Sequence, residues 1–357
     1  MRKDRGKTEE RQRELSALTL PTSSDGVSES RVPKRHRARS VGIGRAHAKA
    51  ILLGEHAVVH GAPALAIPVP QLTVTASAGW SSRAGDGRGE VSVTMTGSAS
   101  RALVTRAFDG LRRLTEEFFV RTGAAGGPPL EVVVDGGIPH GRGLGSSAAV
   151  SRAVVFALAD LLGRELTEDL AFDLVQTAEN LAHGRASGVD ATAVGAERPL
   201  LFRAGRAEEL PIGCDGLFII ADSGVPGSTK EAAELLRAGF GRRAGAAERF
   251  VGRASELAEA GRRALADGDA EGLGSRLTDY HELLRAAGLS TERIDALVEA
   301  ALKAGSLGAK ITGGGLGGCA IAQTRPEQAR EVTRQLHEAG AVQTWAVPLK
   351  GFDSHAQ

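Results

Sequence analysis

Apolar and polar positions along the chain switch between two rhythms. Residues 46–59 (Ala-His-Ala-Lys-Ala-Ile-Leu-Leu-Gly-Glu-His-Ala-Val-Val) read as a strand, a turn at Gly54-Glu55-His56 and a second apolar piece. Residues 65–78 alternate well enough for one or two strands, and 91–96 and 130–135 predict one each. The period lengthens over 101–122, where Leu103, Ala107, Leu111 and Leu114 share one face of an amphipathic helix. The run 146–162 is apolar on most sides and predicts a central helix. Thr167 suits the N-cap of the next, which runs to His183 and ends at Gly184. Residues 200–210 form a hairpin or a linker. Beyond them come a strand over 216–221 and a polar loop over 222–229 that opens a helix. Helices over 248–265, 273–286 and 293–304 follow, then strands over 309–311 and 319–322, a helix over 327–339 and a strand over 342–348. The whole reads as an α+β chain.

Between the strand at 130–135 and the helix at 146 lie five glycines within ten residues: Gly136, Gly137, Gly141, Gly143 and Gly145. Glycine lets a backbone turn sharply and approach a ligand with no Cβ in the way. The helix start adds unpaired N–H groups and the positive end of a dipole, a place for an anion such as phosphate. A tight turn is the alternative reading of the same glycines. Neither common phosphate loop fits. No G-x-x-x-x-G-K-[ST] occurs, and Gly141-x-Gly143-x-x-Ser146 half matches the dinucleotide fingerprint. The pair Ser146-Ser147 suits a nucleotide: one hydroxyl caps the helix, and the other reaches a phosphate-bound Mg²⁺. A second cluster, five glycines in Gly313–Gly318, exceeds what a hairpin needs and favours close backbone approach to a ligand.

Three charged positions sit oddly. Lys49 is followed by four apolar residues; it either snorkels to the surface or faces a carboxylate or phosphate. Glu179 follows Phe172 by seven residues and Val175 by four, which sets a carboxylate beside an apolar helical stripe and calls for a partner or a metal. Asp190 lies eleven residues on, across a helix end and a tight loop, and can point into the same cavity. His56, taken alone, reads as a turn histidine. Phosphoryl transfer needs a metal on the phosphates, cationic help and a base for the attacking hydroxyl; Lys49, Asp190, Glu179 and a serine are those chemical types.

Composition narrows the classes. The 357 residues suggest two domains. Aromatics make up 4%, too few for a base-stacking platform. The net charge is +1, but residues 1–40 hold 11 Lys+Arg against 6 Asp+Glu, a net of +5. That segment is poor in large apolar residues and reads as a disordered, solvated basic tail, not as a nucleic-acid or membrane patch. The first residues lead into charge, unlike a signal peptide, and no apolar run approaches a membrane span. Two distant cysteines, Cys214 and Cys319, give no disulfide framework; buried thiols in a reducing cytoplasm are expected.

The motifs together resemble the GHMP small-molecule kinases over residues 41–350. Lys49-Ala-Ile-Leu-Leu-Gly-Glu-His-Ala-Val-Val-His-Gly61 is similar to the first motif of the branch that acts on mevalonate. Ala57-Val58-Val59 departs from the Thr-Asp-Tyr-type continuation of a galactokinase. Residues 138–149 resemble the family's ATP-phosphate loop. Residues 310–319 resemble its third motif, with Leu316 where glycine or alanine is commoner, and Glu179…Asp190 matches the segment carrying its acids. The resemblance implies a two-domain fold, 41–208 and 209–350, the second ferredoxin-like with added helices, and an active site in the cleft between them. It implies ATP-dependent phosphorylation of the C5 hydroxyl of (R)-mevalonate. Asp190 would be the base, with Lys49 beside it; Ser147 and Glu179 would hold Mg²⁺; His56, Glu55 and Thr229 would face the substrates. Gly141, Gly143, Leu144, Gly145, Ser146, Ser147 and Ala148 would bind the ATP phosphates. Homodimers are common in the family. Action on another alcohol or on phosphomevalonate, and a catalytically silent sensor, stay open as alternatives.

Overall fold

The computed structural model describes residues 40–81, 91–96, 101–124, 129–184 and 186–349, without the side chains of 101–109 and 183. The expected tail up to residue 39, residues 82–90 and residues 350–357 lie outside the described residues, as do the side chains of Leu103 and Ala107.

Strand β1 (Val41–Leu53) runs antiparallel to β2 (Ala64–Trp80), with Lys49 opposite Pro68. The register slips between His47 and Ala48, just before Lys49 and facing Pro68 and Pro70. Proline has no N–H for a ladder, so it belongs at such an irregularity. The stretch 65–78 is thus one long strand. Its far end pairs with β4 (Leu130–Gly136), which is parallel to β3 (Val91–Thr96). Its near end pairs with β5 (Leu200–Arg203), and β5 turns into β6 (Arg206–Glu209). The turn is Ala204-Gly205, both at positive φ, so 200–210 is a hairpin.

Helix α1 (Arg101–Thr122) has the bounds its periodicity predicts, with Leu111 and Leu114 buried. Helix α2 (Ser146–Leu161) lies across β1, where Gly42 and Gly44 point at it. A Cβ on Gly44 would fall 2.0 Å from the Ala153 carbonyl oxygen, so alternate glycines are what let helix and strand backbones touch. Helix α3 (Glu168–His183) is capped by Thr167, whose Oγ1 accepts from Leu170 N–H at 3.3 Å. A short α4 (Val189–Ala193) stands where a loop was expected.

The second sheet is β7 (Leu217–Asp222), β8 (Gly308–Thr312), β9 (Cys319–Thr324) and β10 (Gln343–Pro348), in the order β10-β7-β9-β8 with every neighbour antiparallel. Helices α5 (Thr229–Arg242), α6 (Ala246–Asp267), α7 (Ala270–Ala286) and α8 (Glu292–Lys303) come between β7 and β8. Helix α9 (Ala329–Glu338), opened by a 3₁₀ turn at Pro326–Gln328, comes between β9 and β10. This is a ferredoxin-like β-α-β-β-α-β path with extra helices. The two sheets meet along β1 and β8: the Thr312 hydroxyl accepts from Ile51 N–H at 3.0 Å and donates to Ile51 C=O at 2.9 Å. Cys214 and Cys319 are both buried. No described helix is long and apolar enough to cross a membrane.

Candidate active site

Lys49 leaves β1 on the side of the glycine loop and does not snorkel. Its Nζ lies 3.1 Å from Asp190 Oδ2, with the two side chains 2% and 33% exposed, and it donates to Gly143 C=O at 3.0 Å. The backbone is bound there too, Lys49 N–H donating to Leu144 C=O at 3.1 Å. Asp190 stands in the first turn of α4, after Gly188 at φ +96° has turned the chain back from α3. The buried carboxylate of Glu179, near the end of α3, lines the same cavity of about 700 Å³, a volume typical of a small-molecule site. Glu55, His56 and Thr229 line it as well, and Gly143, Gly313 and Gly314 bring backbone to its wall. The three oddly placed charges of the sequence thus share one cleft.

Two glycine runs meet at that wall. A Cβ on Gly143 would lie 2.6 Å from Thr312 C=O, and one on Gly313 would lie 2.4 Å from Gly143 C=O. No side chain fits between these backbones. Leu316 within the second run has φ +59°, a conformation glycine takes at lower cost. The glycines of 313–318 therefore serve contact with the first loop as well as the β8–β9 turn.

The serine pair differs from expectation in one respect. The N-cap of α2 is Gly145, left-handed and without a side-chain bond; Ser146 and Ser147 already belong to the first turn. No serine hydroxyl caps the helix. Ser146 Oγ lies instead 3.4 Å from His140 Nδ1. Of the expected phosphate loop, Gly143 lines the cavity; Gly141, Gly145, Ser146 and Ser147 are partly exposed outside that lining, and Leu144 and Ala148 are buried.

Glu55 is half committed elsewhere. Its Oε1 is bound by Lys310 Nζ from β8, both side chains being essentially buried, and its C=O accepts from the Tyr280 hydroxyl at 2.8 Å. The Tyr280 ring lies 5.5 Å from the same ammonium. Burial pushes the Glu55 carboxyl up and the Lys310 ammonium down, and the attraction between them opposes both shifts. Glu55 Oε2 and His56 Nε2 accept or donate no hydrogen bond among the described residues, although both are buried. His56 holds φ +62°, an uncommon conformation for a side chain with a Cβ. Burial, with the Lys310 charge second, lowers its imidazole to about 4, so it is neutral near pH 7. Sequence reasoning passed over Lys310 and Tyr280. Lys310 carried the signal that marked Lys49, a lysine inside an apolar strand.

No group of three or more His, Cys, Asp or Glu among the described residues forms a metal cage. The oxygen donors that a Mg²⁺ shared with phosphates and water would draw on are the Glu179 carboxylate in the cavity lining and the hydroxyls of Ser146 and Ser147 in the first turn of α2.

Models of the GHMP kinases N terminal domain and the GHMP kinases C terminal domain match residues 102–197 and 262–342. The mevalonate kinase of Thermococcus sibiricus is 33% identical, over 84% of this chain and 94% of its own. That of Pyrococcus horikoshii is 32% identical, over 84% and 93%. The crystal structure of L. major mevalonate kinase in complex with R-mevalonate superposes with a TM-score of 0.75 at 22% identity, covering 89% of this chain and 99% of that one. A path of two sheets joined at β1 and β8, a lysine–aspartate pair under a glycine loop, and near full-length likeness to these relatives agree: the chain belongs to the GHMP kinase family, among its mevalonate kinases.

Proposed function

We propose that the chain transfers the γ-phosphoryl group of ATP to the C5 hydroxyl of (R)-mevalonate, giving 5-phosphomevalonate for isoprenoid precursor synthesis in the cytoplasm. The observation that carries this is the convergence of Lys49, Asp190 and Glu179 on one cleft walled by the two glycine runs. Asp190 takes the hydroxyl proton as general base, and its partial exposure leaves room for the alcohol. Lys49, held by Asp190 and Gly143 C=O, stands where charge builds on the transferring group. Gly141, Gly143, Leu144, Gly145, Ser146, Ser147 and Ala148 present backbone and hydroxyl donors to the ATP phosphates. Mg²⁺, when bound, offsets phosphate charge, with Ser147 and Glu179 as its protein ligands. Neutral His56 and Glu55 Oε2 hydrogen-bond mevalonate, and Thr229, whose Oγ1 lies against Gly314, faces the γ-phosphate. The division into lobes at 41–208 and 209–350 and a homodimeric state belong to the same reading. Coupled ADP release with mevalonate, phosphomevalonate, galactose and homoserine tests it. A clear preference for mevalonate is expected; preference for another of the four overturns the substrate assignment.

A further inference from the structure

The loop from Gly136 to Ala149 contains a single formal charge, Arg142. A cation in a phosphate loop would ordinarily be assigned to the phosphates. Arg142 is engaged elsewhere. Its Nε lies 2.7 Å from Asp222 Oδ1 at the end of β7, a charge contact without the alignment of a hydrogen bond, with the side chains 17% and 6% exposed, and its Nη2 donates to Gly224 C=O at 3.0 Å. The same Asp222 oxygen accepts from Gly224 N–H at 2.7 Å, which shapes the turn leading from β7 toward α5. Backbone bonds run in parallel: Gly227 N–H donates to Gly141 C=O at 2.8 Å, and Gly318 N–H to Val225 C=O at 2.8 Å. A Cβ on Gly318 would come within 2.9 Å of Arg142 C=O. Three segments, 141–143, 222–227 and 313–318, are therefore knitted together, and the Arg142–Asp222 pair is the charged link in the knot.

We propose that Arg142 is a positioning residue that clasps the ATP-phosphate loop to the β7–α5 turn through Asp222, and that it is not a phosphate ligand. The inference rests on the reading of this loop as the nucleotide site. With the clasp closed, the loop backbone is set before ATP arrives, and the turn leading to Thr229 at the start of α5 is set with it. Loss of the clasp loosens both, which weakens nucleotide capture more than it slows transfer.

Asp222 makes the test decisive, because it cannot bind phosphate. Steady-state kinetics on R142Q, D222N and the apolar pair R142M/D222L are compared with wild type. R142M/D222L removes both charges, so it stays informative if a lone buried charge prevents a single variant from folding. The clasp predicts that the KM for ATP rises about tenfold in R142Q and D222N alike, as for a loop displaced by a fraction of an ångström. kcat and the KM for mevalonate stay within about threefold, and R142M/D222L is no worse than either single change. If R142Q weakens ATP while D222N does not, Arg142 is a phosphate ligand and the proposal falls. S147A separates the two layers: S147A impaired with R142Q, D222N and R142M/D222L silent removes the clasp alone, whereas all four silent removes the phosphate-loop reading with it.

Discussion

His56 joins an uncommon backbone conformation, a partly buried ring and a buried Nε2 with no hydrogen bond among the described residues. Its imidazole titrates at about 4, below its ordinary 6.5, so the folded state resists protonation. The resulting contribution to stability is complete above 6.5 and is lost as pH falls through about 4. His47 and His281, lowered mainly by burial, act in the same direction. The thermal midpoint should therefore drop across this window, and H56N should show a shallower drop, since asparagine tolerates left-handed φ and does not titrate. Parallel profiles for H56N and wild type would exclude His56 as a source. The sequence identified His56 only through its motif, because burial and backbone conformation are properties of the fold. Lys49 was more legible. A lysine leading an apolar run demands a partner, and Asp190 at 3.1 Å is that partner.

At the scale of elements, periodicity located the long pieces and missed the short ones. Helix α1 has a 3.6-residue stripe over 22 residues and was legible to the residue, whereas the five-residue α4 that carries Asp190 has no room for a period. The order strand, glycine loop, helix was legible at 130–146. What the glycines touch was not, since those contacts come from β1, β8 and the second glycine run. The same geometry makes G44A informative. Its Cβ would strike the backbone of α2, so the helix must shift, and the loss should be about 1–3 kcal/mol by urea denaturation. G136A, whose Cβ meets nothing within 4 Å, is the control and should stay within about 0.5 kcal/mol. Equal losses in the two would contradict helix–strand contact as the reason for Gly44.

For the whole molecule, the α+β class and the ferredoxin-like second sheet followed from element order and resemblance. The way the sheets are joined did not. It depends on Lys310, fully buried in β8, reaching Glu55 beyond the end of β1, with Tyr280 of α7 closing over both. Removing one member strands a buried charge. K310A should thus destabilise the fold by about 3–5 kcal/mol, and K310A/E55A by less than the sum of the two single changes. Additive losses by denaturant unfolding would show that the pair does not act as a unit. The cleft that Glu55 of this joint lines is where the chemistry is assigned, and D190N tests that assignment most directly. Asparagine keeps the shape of the side chain and removes the base. Turnover of mevalonate by D190N should fall about 10²–10⁴-fold while the KM for ATP is kept. Retention of more than roughly a tenth of the wild-type kcat would contradict Asp190 as the base and, with it, this account of the cleft.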